Sequence, residues 1–302
     1  MDERGRFAPS PTGELHLGNA RTALLSWLWA RKQRGEYAMR VEDLDLPRVR
    51  PGMAARQLEE LRWLGLDWDG PVVFQSQRTA FYEDALRRLD VHVYECFCSR
   101  AEIAAASAPQ GDEGPRYPGT CASLTAAQRA ERKRTRTPSL RLRVPKGTLS
   151  FQDEILGDLS FDTQALVGDF VLRRADGVFA YQLAVAVDDG AMGITQVLRG
   201  ADLASSTARQ ILLHRLLGNR EPRWAHAPLV ITPEGSRLSK RDRALSLSAL
   251  RSRGADPRRI VADLARLSGM SAPDRCQPGD LLDEFSLSKI SRMPVPIGPL
   301  SY

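Results

Sequence analysis

Cysteine is scarce in this chain: 302 residues hold four, Cys96, Cys98, Cys121 and Cys276. So few thiols in so long a chain do not make a disulfide framework. Long apolar runs are missing too. The stretch from Ala23 to Ala30 stops at Arg31, far short of the ~20 apolar residues of a membrane span. No apolar segment follows the polar opening Met1 to Arg6, so a secretory signal is not expected. Internal repeats and low-complexity tracts are absent. A hydrophobic fraction of 42% beside a charged fraction of 26% argues against a disordered, collagen-like or coiled-coil chain. What remains is a cytoplasmic globular protein with no membrane partner, long enough for about two domains of ~100–200 residues. Its net charge of +6 is mild and favours a polyanionic partner.

The order of elements predicts an α/β fold. Arg6 to Ala8 reads as a short buried strand, ended by the rigid loop Pro9-Ser10-Pro11-Thr12-Gly13. A helix follows from Gly18 to Arg34, with Ala20, Leu24, Trp27, Leu28 and Arg31 on one stripe and Gly35 as its C′ residue. Tyr37 to Val41 alternates as a second strand, with Glu42 at its end. Pro51-Gly52 opens another helix, stopped at Gly65. Strand, helix and strand in this order predict a βαβ unit with a parallel sheet. The region from Phe97 to Leu183 reads as an insertion, with short alternating strands such as Ser139 to Val144. The α/β pattern returns with a strand at Thr195 to Arg199 and a helix from Ser205 to Leu217. Asp256-Pro257 predicts an N-cap followed by a proline at N1. That helix carries Ile260, Val261, Leu264 and Leu267 on one face and is closed by Gly269. The tail from Pro294 to Tyr302 is expected to be loosely held.

Two loops carry the chemistry. Pro11 to Asn19 lies between a strand and a helix, where unpaired N–H groups and the positive dipole end attract an anion. There His16 can donate to a phosphate as charge builds, and Gly18 leaves room for a nucleotide. The second loop, Arg237-Leu238-Ser239-Lys240-Arg241, is cationic. Its Lys240 is a point charge suited to a pyrophosphate leaving group. Either loop alone is unspecific. Together they resemble the HIGH and KMSKS signatures of the class I aminoacyl-tRNA synthetases, with Asn19 in place of the last His and Arg237 in place of the first Lys. Arg6 to Gly13 narrows the resemblance to the glutamyl/glutaminyl branch, and it runs from Arg6 to about Arg243. It implies a split Rossmann-type parallel-sheet catalytic domain, with ATP (and Mg²⁺) and L-glutamate as substrates. It also implies His16, Gly18 and Lys240 as catalytic residues.

Free glutamate has two carboxylates and one ammonium, so its pocket needs cations and an anion at strand ends. Arg6, Arg199 and Glu42 stand at such ends, and Tyr181 can add a hydroxyl. Arginine suits a carboxylate through its bidentate fork. The same residues could equally form structural ion pairs. The resemblance implies the binding role, with Arg6, Phe7, Ala8, Pro9 and Ser10 joined by Glu42, Tyr181, Arg199 and Lys240.

Cys96-Phe97-Cys98 and the later Tyr117-Pro118-Gly119-Thr120-Cys121 offer three thiolates and a phenol. Such a donor set suits a tetrahedral zinc. Residue chemistry alone leaves the fourth position to water or to a histidine such as His92. The short members of the glutamyl branch share this pattern, and the resemblance to them implies one structural zinc on Cys96, Cys98, Tyr117 and Cys121. Cys276 is read as a free thiol. Arg129, Arg132, Lys133, Arg134 and Arg136, continued by Arg141, Arg143 and Lys146, can track RNA phosphates. No aromatic residues interleave the run, so stacking on single strands is not supported.

The expected organisation is residues 1–95 as the first half of the catalytic domain and 96–183 as a zinc-binding, RNA-facing insertion. Residues 184–243 are then its second half, and 244–302 a short helical C-terminal region. Only Asp242 to Tyr302 follow the cationic loop, too few for a large anticodon-binding region. The short members of the branch have this layout. They activate glutamate and transfer it to the queuosine base in the anticodon loop of tRNA(Asp). The expectation is therefore a monomeric ligase acting on the tRNA(Asp) anticodon stem-loop that carries queuosine. The alternatives are a truncated glutamyl-tRNA synthetase charging the tRNA 3′ end, and an inactive, zinc-stabilised RNA-binding protein.

Overall fold

A computed structural model describes residues 3–106, 117–232, 235 and 245–298. In chain order the elements are β1 (Arg4–Phe7), α1 (Leu17–Lys32), β2 (Glu36–Val41), α2 (Met53–Trp63), β3 (Val73–Phe74), α3 (Thr79–Arg88), β4 (Val93–Cys96) and α4 (Arg100–Ala106). There follow α5 (Ala126–Lys133), β5 (Ser139–Leu142), β6 (Thr148–Asp153), β7 (Gly157–Asp162), β8 (Phe170–Arg173) and α6 (Tyr181–Ala191). The chain closes with β9 (Gln196–Gly200), α7 (Ala204–Leu216), β10 (Arg223–Ala227), β11 (Val230–Ile231), α8 (Leu247–Ser252), α9 (Pro257–Arg266) and β12 (Val295–Pro296).

β1, β2 and β3 form one parallel sheet, and β7-β6-β10-β9 form a second sheet, parallel except for the antiparallel β6–β7 pair. The two meet edge to edge, where the Thr195 amide donates to the Arg4 carbonyl at 2.9 Å. β1 and β9 therefore lie at the point where the strand order reverses, and ligands of open α/β sheets bind off the strand ends there. Alternate residues feed opposite cores. Met39, Leu198 and Ala225 join the cluster with α1, α2 and α9. Ala38, Val197 and Trp224 join the one with α3, α6 and α7. A sheet covered on both faces is buried on both, so β2, read as alternating, is buried at every position from Tyr37 to Val41.

Several expectations need correction. α1 is buried nearly all round, from Leu17 through Ala30, because the sheet lies on one side and α9 on the other. The stripe was too narrow. Its left-handed end residue is Arg34 (φ 56°), not Gly35. Gly35 is needed for a different reason: a Cβ there would lie 2.4 Å from the Glu3 carbonyl oxygen. The stretch read as an insertion lends β6 to the second sheet, parallel to β10. Leu142, Val144 and Leu149 also share a core with α6 and α7. Of the tail expected to be loose, Val295 to Ile297 is held: β12 pairs with β11, and Ile297 is buried with its amide on the Ile231 carbonyl at 2.8 Å. The Asp256 cap forms as expected, accepting from the Arg258 amide at 3.0 Å.

Candidate active site

The loop after β1 is rigid because its carbonyls are taken. Gln57 of α2 donates to Ser10 O at 3.1 Å and to Gly13 O at 2.7 Å. The Arg50 and Glu42 amides hold Pro11 O and Pro9 O. The chain then enters α1 through His16, whose Nδ1 accepts from the Gly18 amide at 3.1 Å and the Asn19 amide at 3.4 Å. The Asn19 side chain returns the bond to the His16 amide at 3.1 Å. This reciprocal cap satisfies orphan helix donors and gives Asn19 a role of its own. With Nδ1 accepting, the ring proton of neutral His16 sits on Nε2. Gly18 matters differently from the sequence expectation. A Cβ there would stand 2.9 Å from His16 Cε1, so the glycine makes room for the imidazole.

A cavity of about 410 Å³ opens off the ends of β1 and β9. Its walls include Arg6 through Ser10, His16, Gly18, Glu42, Tyr181 and Arg199, so the structure brings these residues to one place. An adjoining cavity of about 880 Å³ shares Ser10, Thr12, Glu42 and Tyr181 with it and reaches Cys98 and Arg100. Lys240, with the whole of Arg237 to Arg241, lies outside the described residues. The chain on either side of that loop borders the first cavity: Val230 lines it, and Ser246 bridges to His16.

The charges of the first cavity are tightly braced. Asp189 accepts from Arg6 Nε at 3.2 Å, Arg6 Nη2 at 3.1 Å and Arg40 Nη1 at 2.6 Å. Burial alone would raise its pKa, but Arg6 and Arg40 outweigh burial and hold the carboxyl well below the usual range. One edge of the Arg6 fork is thus committed, and Nη1 is left for a ligand. Arg40 also reaches Glu42 at 3.4 Å and Asp188 at 3.8 Å. Arg78 and the Tyr82 hydroxyl close on Asp188. Burial pushes the Glu42 carboxyl up despite Arg40 and Arg6, so an ammonium entering the cavity would find a carboxylate that gains from a new cation. Burial likewise lowers the pKa of Arg199, which favours an incoming carboxylate. Tyr181, at the first position of α6, is 37% exposed and borders both cavities. Sequence reading missed Asp188, Asp189, Arg40 and Gln57. The signal was there for the first two: a pair of aspartates directly after Leu183 to Val187 in a buried helix demands cations.

The sulfurs of Cys96, Cys98 and Cys121 lie within 4.8 Å of one another. Cys98 Sγ is 3.6 Å from Cys121 Sγ and 4.0 Å from the Tyr117 hydroxyl oxygen. Thiolates about 2.3 Å from one tetrahedral ion stand about 3.8 Å apart, so the spacing fits zinc. Burial and the neighbouring thiols push Cys98 up to about 11, a repulsion that a cation would relieve. His92 is not part of the cluster. Cys276 is a free, buried thiol packed in the main core.

The basic run is partly structural. Arg141 stacks over the Tyr117 ring at 3.9 Å and Arg143 over Tyr94 at 4.9 Å. Lys133 pairs with Glu95, and Arg136 with Glu102. These cations brace the cysteine module, leaving fewer for phosphates than the count suggested.

The family model for the catalytic domain of class I tRNA synthetases for glutamate and glutamine (E and Q) matches residues 4–281. The chain belongs to that family. It is a ligase of the class I tRNA synthetase type. It is 50% identical to the glutamyl-Q tRNA(Asp) synthetase of Symbiobacterium thermophilum, over 97% of this chain and 95% of that one. The Nocardia farcinica protein of the same name is 49% identical, over 96% and 91%. Among solved structures, glutamate-tRNA synthetase from Elizabethkingia anophelis superposes with a TM-score of 0.86 at 28% identity, covering 99% of this chain and 68% of its own. Membership makes ATP the energy source and glutamate and tRNA the other reactants of the family to which this site belongs. No helix among the described residues is long and apolar enough to cross a membrane.

Proposed function

We propose that this enzyme activates glutamate with ATP and transfers it to queuosine in the anticodon loop of tRNA(Asp). The observation that carries the reading is the near full-length likeness, at about half identity, to relatives of that name. In the first step a glutamate carboxylate oxygen attacks the α-phosphorus of ATP. Pyrophosphate leaves, and a mixed anhydride forms. In the second a hydroxyl of the queuosine cyclopentene ring attacks the activated carbonyl, and AMP leaves. Arg6 and Arg199 are assigned to the carboxylates, Glu42 to the ammonium and Tyr181 to a further hydroxyl contact. Residues Phe7 to Ser10 line the same pocket. His16, with its Nε2 proton, and Lys240 are assigned to the phosphates, where preorganised donors act most strongly as charge develops. Gly18 lets His16 take that position. The adjoining cavity of about 880 Å³ is offered as the approach for the acceptor nucleoside.

Cys96, Cys98, Tyr117 and Cys121 are assigned to one zinc ion. With four protein ligands the ion would be structural, since no position stays open for water.

The test uses tRNA whose 3′ ribose has been oxidised by periodate under conditions that spare the queuosine diol. It should still accept labelled glutamate, and the same tRNA(Asp) lacking queuosine should not. Charging of an intact 3′ end on queuosine-free tRNA(Glu) would replace this reading with that of a glutamyl-tRNA synthetase.

A further inference from the structure

Arg199 faces the amino-acid cavity with one edge and is gripped on the others. Its Nε donates to His226 Nε2 at 3.1 Å, Nη1 to Gln210 Oε1 at 2.8 Å, and Nη2 to Thr207 Oγ1 at 2.8 Å and Leu203 O at 3.3 Å. Its guanidinium carbon stands 5.2 Å from the Trp224 ring centroid. A guanidinium has five N–H groups. These bonds use all but one on Nη1, which is left for a ligand.

His226 is the pivot of this grip. It lies on β10, fully buried, and its Nδ1 is 2.5 Å from Asp153 Oδ2. Asp153 ends β6 and is not among the residues that line the cavity. Its other oxygen accepts the amides of Ile155, Leu156 and His226 at 3.0, 2.8 and 3.1 Å. A carboxylate holding that many donors stays ionised and accepts only, so the His226 proton must sit on Nδ1. Nε2 is then a lone-pair acceptor, 3.1 Å from Arg199 Nε and 3.0 Å from the Thr207 hydroxyl.

We infer that Asp153 and His226 are positioning residues that fix the histidine tautomer and thereby aim Arg199 at a carboxylate of the amino-acid substrate. This rests on the assignment of Arg199 to glutamate. No substrate contact is asked of either residue.

Asp153→Asn tests the inference without changing shape. The amide oxygen can keep the three backbone donors, so its NH₂ replaces Oδ2 and donates to Nδ1. The imidazole proton moves to Nε2, where the Thr207 hydroxyl oxygen can take it and the Arg199 Nε–H loses its acceptor, an inverted tautomer like that known when a triad aspartate becomes asparagine. In glutamate-dependent ATP–pyrophosphate exchange, the variant should show a glutamate KM raised by about tenfold or more, with the KM for ATP unchanged. His226→Gln keeps an acceptor near the Nε2 position and should stay near the wild-type glutamate KM. His226→Asn keeps only the donor toward Asp153 and should rise as Asp153→Asn does. A role in packing alone would move both His226 variants alike, and that result overturns the inference, as does an unchanged KM for Asp153→Asn. Should Asp153→Asn fail to fold, the two His226 variants decide. Wild-type protein without glutamate-dependent exchange would instead sink the functional reading.

Discussion

An alanine at position 18 would place its Cβ 2.9 Å from His16 Cε1 and 3.0 Å from Nδ1. The ring would have to leave its capping position. Gly18→Ala should therefore lower the rate of adenylate formation by roughly 10²–10³, while stability falls only by the loss of one cap, about 1 kcal/mol. Exchange kinetics beside a thermal melt separate the two effects; unaltered exchange would deny His16 its role. At this scale the sequence showed which residue types gather but not why. Arg6, Glu42, Tyr181 and Arg199 were legible as pocket candidates from their motif context. For Asp189 the local pattern shows a need for cations but not which ones, because Arg6 and Arg40 come from strands about 150 or more positions away.

Among the elements, α2 and the cysteine module respond most clearly to solution conditions. Glu60 of α2 is buried, with Arg56 Nε 3.6 Å away and the Ser248 hydroxyl beside it. Burial raises its pKa to about 7 against the pull of Arg56. The folded value exceeds the unfolded one, so stability is full below about pH 4.5 and is lost as pH rises through about 7. Glu60→Gln should thus stabilise the protein at pH 8 by on the order of 1–3 kcal/mol, with a gain that shrinks toward pH 5. Urea unfolding at both pH values checks it; equal gains would rule out the titration. For the cysteine module, elemental analysis should find about one zinc per chain. Cys98→Ser should lose the metal and local order around residues 117–136 while the main cores stay folded. Metal-free protein of equal stability and activity would remove the zinc assignment. The module was legible because Cys-x-Cys with a nearby Tyr-x-x-x-Cys is a local pattern. The structural use of Arg141 and Arg143 was not, since cation–ring stacking depends on which strands pair.

For the molecule as a whole, the chain by itself brings Arg6, Glu42, Tyr181 and Arg199 to one cavity at the meeting of two half-sheets. Glutamate activation should therefore proceed without RNA. ATP–pyrophosphate exchange with glutamate alone is the measurement, and exchange that begins only on addition of tRNA would show that RNA completes the site. The same view joins the middle of the chain to the catalytic sheet. Asp153, from the stretch read as an insertion, anchors His226 on β10.

The sequence by itself determined the α/β class, the motif-bearing loops, the helix cap at Asp256, and the cysteine cluster. Each is written in neighbouring residues through turn chemistry, periodicity or ligand spacing. Tertiary structure alone decided which half-sheet edges meet and which carboxylate each arginine keeps. It also decided that β6 and β12 join sheets far from them in the chain, and that Arg199 rests on a histidine whose proton is fixed by Asp153. These pairings follow from burial: a charge removed from water must find its partner wherever packing brings one, and distance along the chain does not limit that choice.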